Sequence, residues 1–130
     1  MTFLRTALIA LLLFLPLHAQ PAITASDAWI AEPVDGAASA YLTIHNPTMY
    51  DIYVVSATSN AAGKIELRDS GKTVKNLTVP AYGWLELKPD GPHLRLVDLK
   101  KMPQVGTTVD LTIETDGGVT MKVSGPVKKP

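Results

Sequence analysis

The 130-residue chain has no cysteine. No disulfide can staple it and no thiolate can act as a nucleophile. A blue-copper centre, whose trigonal site needs a thiolate, is excluded as well. The same absence is expected to leave the chain without a lipid anchor on an N-terminal Cys. An excess of charge of one sign is also missing, since twelve Lys and Arg balance twelve Asp and Glu. That balance gives no reason to expect nucleic acid or an anionic membrane as partner. Histidine is scarce, with three in the chain. Gly-x-Ser-x-Gly, a Gly-rich phosphate loop and His-Glu-x-x-His are all absent, so the sequence gives no support for an enzyme.

One apolar run stands out, at the N-terminus. Arg5 provides a charged start, Thr6 to Leu17 is apolar, and Leu17-His18-Ala19 offers a small-residue cleavage site. The run is short and interrupted by Pro16, which argues against a membrane span. Residues 1–19 therefore read as a signal peptide and 20–130 as one exported domain, periplasmic or secreted, with no membrane anchor after cleavage. An uncleaved anchor is the alternative. Cleavage removes Arg5 and no acid, leaving eleven basic against twelve acidic residues. A domain of about 111 residues is large enough to bury one core without disulfides.

After the leader, short alternating runs are separated by turn clusters, and no helical periodicity is sustained. Strands are expected at Ala28–Ala31, Ala40–His45, Ile52–Ala57, Lys64–Asp69, Val74–Val79, Trp84–Lys88, His93–Leu96, Thr108–Thr115 and Val119–Val127. Asn46-Pro47, Asp69-Ser70-Gly71, Pro89-Asp90-Gly91-Pro92 and Asp116-Gly117-Gly118 supply turns. Many short strands at this spacing predict an all-β, single-domain antiparallel sandwich or Greek-key barrel.

The order of features resembles the periplasmic copper chaperone family of the PCu(A)C type. The resemblance is carried by Ser26-Asp27-Ala28-Trp29-Ile30, Ala38-Ser39-Ala40-Tyr41-Leu42-Thr43-Ile44, Asn46 and Ala61-Ala62-Gly63-Lys64-Ile65-Glu66-Leu67. It continues through Val79-Pro80-Ala81-Tyr82-Gly83, the hairpin Leu85-Glu86-Leu87-Lys88-Pro89-Asp90-Gly91-Pro92-His93-Leu94, and Leu99-Lys100. It implies a cupredoxin-like barrel that carries Cu(I). It also implies as partner an envelope copper protein or a respiratory oxidase assembly factor. Family members hold Cu(I) with histidines and methionines, including a His-x-Met pair on the hairpin. Carried over, the first His position falls on Arg68, its neighbour on Asp69, and the last Met on Arg95. The central Met falls within residues 71–77, where the chain has none. His93 is the one surviving match.

Residues two apart on a strand share a face, so His93 and Arg95 should project together, opposite Leu94 and Leu96. Guanidinium has no lone pair to give a metal, whereas thioether is a soft donor suited to Cu(I). No tight family-type Cu(I) site is expected. Two readings follow. In one, the chain is a copper-chaperone-like protein with a depleted ligand set. In the other, Arg68 and Arg95 form a forked cationic site for an anion or an acidic protein partner, with ion pairing to Glu66, Asp69 or Asp98 as the plain structural use of those arginines. His45 and Met49 are the residues that would have to join His93 to rebuild a site. Met49 is expected to be exposed, Met121 to fill the core, and Met102 to pack beneath its loop. Trp29 and Trp84 read as rim or core aromatics. Asn76-Leu77-Thr78 fits a glycosylation acceptor pattern.

Overall fold

The computed structural model describes residues 22–130; the leader expected over residues 1–19 lies outside them. Ten strands are present among the described residues: β1 Thr24–Val34, β2 Ala37–Asn46, β3 Ile52–Ser59, β4 Ala62–Asp69, β5 Lys72–Thr73, β6 Leu77–Val79, β7 Gly83–Glu86, β8 His93–Leu99, β9 Thr108–Thr115 and β10 Thr120–Lys128. Seven of them follow one another through hydrogen-bonded neighbours in the order β4-β8-β2-β1-β10-β9-β3, and a β3–β4 pairing closes the ring. The three short strands attach to its outside edges, β5 on β4, β6 on β3 and β7 on β2. The expected all-β barrel is what forms. Its pairs are antiparallel except β1 with β10, which run parallel with Ile30 opposite Val127.

Period-two burial explains why these residues form these strands. Ala38, Ala40, Leu42 and Ile44 of β2 are at most 1% exposed, and so are Leu94 and Leu96 of β8 and Leu111 and Ile113 of β9. Each is flanked by side chains on the other face, so register and inward orientation are fixed together. Met121 joins this core at 6% exposure, as expected. The β4–β5 turn has φ of 53° at Ser70 and 76° at Gly71, the two-residue turn that the Asp69-Ser70-Gly71 signal calls for.

Two expectations need correction. The strand expected at Val74–Val79 is broken. Val74 N–H still donates to Leu67 C=O at 2.8 Å, continuing the β4–β5 ladder. The chain then bends at the exposed Lys75 and Asn76 and re-forms as β6 against β3. The change of partner buries Leu77 and Val79 in the core, which the β4 edge could not do. Met102 is 56% exposed instead of packing beneath its loop; its neighbour Pro103 is buried there in its place.

Asn46 is fully buried and fully hydrogen-bonded. Its Nδ2 donates to Tyr50 C=O at 2.7 Å and to Val79 C=O at 3.0 Å. Its Oδ1 accepts from Thr48 N–H at 2.9 Å and from Thr48 Oγ1 at 2.7 Å. The side chain thus shapes the β2–β3 loop and ties it to β6. Gly125 serves the other seam: a Cβ there would fall on the backbone carbonyl of Ala28 in β1. Only glycine lets β10 pass so close to the bulge around Asp27 and Ala28.

Two substitutions test these pins. Asn46→Ala should lower stability by about 3 kcal/mol, because it strands the buried Val79 carbonyl. Gly125→Ala should cost at least about 2 kcal/mol through steric displacement of β1. Both losses are read as a lower urea midpoint at unchanged slope.

Candidate metal centre

Burial of Leu67, Leu94 and Leu96 sends the alternate residues of β4 and β8 outward. Antiparallel pairing sets Arg68 opposite His93 and Glu66 opposite Arg95, while Ser39 of β2 flanks Arg95 on its other side. The sequence-derived positions Arg68, His93 and Arg95 therefore share one face, all half-buried. Strand parity alone made this legible for His93 and Arg95. Which residue of β4 faces His93 needed the register.

Arg68 turns toward its own hairpin, with Nη1 donating to Thr73 Oγ1 at 2.8 Å and Nη2 to Gly71 C=O at 3.0 Å. Its Nη1 also lies 4.0 Å from Glu66 Oε1, the ion pair found among the described residues. Arg95 makes no such pair there. It borders a groove of about 250 Å³ together with Glu32, Asp35, Ser39 and Tyr41, and Glu66 stands across from it in the register.

His93 is oriented by its neighbours. Nδ1 lies 3.0 Å from Gly91 C=O, a contact that a neutral ring can make only by donating from Nδ1–H. The lone pair is then on Nε2. A backbone carbonyl holding one ring nitrogen is the usual way to present the other to a metal. Tyr41 lies on the other flank, with ring centroids 6.0 Å apart, and itself packs on Trp29 at 4.7 Å. Lys128 Nζ sits 6.0 Å from the Trp29 ring centroid. Sequence reading missed this row across the sheet, because strand pairing assembles it from β10, β1, β2 and β8. The Gly91 contact was missed too, although Gly91 two residues before His93 was its available signal.

The remaining donors are placed elsewhere. His45 lies four residues along β2 from Tyr41, roughly 13 Å at strand rise, and stacks on Trp84 with centroids 4.1 Å apart. Met49, 62% exposed, is in the loop beyond it, and Met121 is in the core. Among the described residues no group of three or more His, Cys, Asp or Glu converges. One imidazole beside two guanidiniums does not fit the donor set of a Cu(I) cage, which wants soft sulfur as well.

The family model described as "Putative lipoprotein LpqE-like" matches residues 23–127. The chain belongs to the LpqE-like family. It is 29% identical over 115 residues to "Putative lipoprotein Lxx21020" of Leifsonia xyli subsp. xyli, covering 82% of this chain and 69% of that protein. Among solved structures, the Cu(I) form of DR1885 from Deinococcus radiodurans is 32% identical with a TM-score of 0.69, over 82% of this chain and 76% of that one. The copper-bound PCuAC domain of PmoF2 superposes with a TM-score of 0.76 at 20% identity, over 87% and 97% of the two chains. The expected resemblance to PCu(A)C copper chaperones thus holds for the whole barrel, and this LpqE-like chain shares their fold.

Arg68 should matter little for stability. Its ion pair is partly solvent-exposed, so Arg68→Ala is expected to cost under about 1 kcal/mol. A much larger drop in the thermal midpoint would show that the β4–β5 hairpin depends on the guanidinium.

Proposed function

We propose that the protein is an exported, copper-chaperone-like binding protein without a family-type Cu(I) cage, which engages copper as cargo only weakly, through His93. The observation that carries this reading is the β4–β8 register: Arg68 stands opposite His93, and Arg95 is two residues along on the same face. Nitrogen and sulfur donors in the copper-carrying relatives' pattern would have to come from these positions. A guanidinium supplies none. The oriented Nε2 of His93 remains as one ligand, and further donors would come from a partner. An envelope copper protein or a respiratory oxidase assembly factor fits that role. The protein acts as a carrier and not as an enzyme. The lipoprotein names of its relatives and the leader-like residues 1–19 support a periplasmic or secreted location.

The other reading, an anion or acidic partner held between Arg68 and Arg95, is less well supported. Arg68 is committed to Thr73, Gly71 and Glu66. Around Arg95, the carboxylates of Glu32, Asp35 and Glu66 would repel an incoming anion.

The test is competition for Cu(I) against a chelator under reducing conditions. Wild-type protein should yield its copper readily, and His93→Ala should abolish the residual binding. Tight retention that survives His93→Ala would overturn the proposal. Restoring donors should reverse the defect: Arg68→His with Arg95→Met is expected to raise Cu(I) affinity more than about tenfold.

A further inference from the structure

At one end of the barrel three turns are stitched together. Tyr82 N–H of the β6–β7 turn donates to Thr48 C=O of the β2–β3 loop at 2.9 Å, and Ala81 N–H donates to Asp51 Oδ1 at 2.9 Å. At the β9–β10 turn, Asp116 N–H donates to Tyr53 C=O at 2.9 Å and Asp116 Oδ1 accepts from Tyr53 N–H at 3.2 Å. From this end project Met49, Tyr50, Tyr82, Trp84 and Val119, which are 62%, 70%, 70%, 57% and 46% exposed. They account for five of the nine large hydrophobic side chains exposed among the described residues, so the apolar surface is concentrated here. Apolar clustering of this kind marks a contact surface.

We propose that this end contacts the interfacial region of a zwitterionic lipid bilayer. Trp and Tyr carry an apolar body and a polar tip, the combination that settles at headgroup depth. The side chains project outward and do not line the grooves of about 250 to 500 Å³ found elsewhere on the barrel. A projecting tip suits a soft planar surface better than a small ligand.

Tyr82 provides an independent sign. It holds φ at 55°, a left-handed conformation that a bulky side chain rarely adopts and glycine adopts freely. An exposed aromatic is kept where the backbone would prefer glycine, and strain of this kind collects at functional positions. Charge selects the kind of surface. Across residues 46–53, 79–84 and 115–119 the only charged side chains are Asp51 and Asp116. Two carboxylates without a cation disfavour an anionic bilayer and also a second copy docking end to end. The inference rests on the exported location proposed above and is independent of copper.

The test uses exported protein, its processed N-terminus verified by mass spectrometry and no copper present. It is titrated with vesicles of phosphatidylcholine, alone or mixed with phosphatidylglycerol. Tryptophan emission should shift to the blue and be quenched by brominated phosphatidylcholine, and Trp84→Phe should remove the response. Tyr50→Ser with Tyr82→Gly should weaken partitioning about tenfold, while Tyr82→Gly alone should leave the thermal midpoint unchanged or higher. Absence of any emission change overturns the proposal, as would binding that needs phosphatidylglycerol or that ignores the tyrosine substitutions. Fractionation of expressing cells tests the exported location separately.

Discussion

Side-chain alternation on β8 is the constraint from which the functional face follows. Leu94 and Leu96 have no exposure at all. Sliding the strand by one residue would bring His93 and Arg95 into an apolar core and expel two leucines. Burying an unpaired guanidinium is far more costly than any polar contact on the outside can offset. The register is therefore set by the inner face, and the outer face inherits it. The barrel positions Arg68 against His93 whether or not those two residues have anything to do with each other.

A scaffold held from within is free to exchange what it displays. The core cluster of the LpqE-like barrel consists of aliphatic side chains plus Met121, and strand alternation turns those of β4 and β8 away from the Arg68–His93–Arg95 face. This chain shares its fold with domains solved in copper-bound form, and folding imposes little on which side chains stand at the outward positions. The hydrogen bond from His93 to Gly91 C=O belongs to the β7–β8 connection and would orient the ring with or without metal.

Much of the fold was legible because period-two burial and turn chemistry agreed. The strands over Ala40–His45, Lys64–Asp69 and Thr108–Thr115 were readable from alternation, and the Ser70-Gly71 turn from its residue types. What escaped depended on partners distant in sequence. Val74 to Val79 has a continuous strand-like composition, yet it divides between two partners because Leu77 and Val79 reach the core only beside β3. Asn46 looked like an ordinary strand terminator, and its role emerges only when Val79, 33 residues away, delivers a carbonyl to it. At the site, shared parity of His93 and Arg95 was visible. Diversion of Arg68 toward Thr73 and Gly71 was not, since it depends on the two-residue β5.

Ring closure has a consequence for life outside the cytoplasm. The barrel strands spend many of their main-chain donors and acceptors on each other, and the stretches of β3 and β4 left without a strand partner beside the single Ser59–Ala62 pair of their seam are short, as are the flaps of two, three and four residues. Edges so short make poor templates for intermolecular strand addition. A protein built this way runs little risk of polymerising with its own copies.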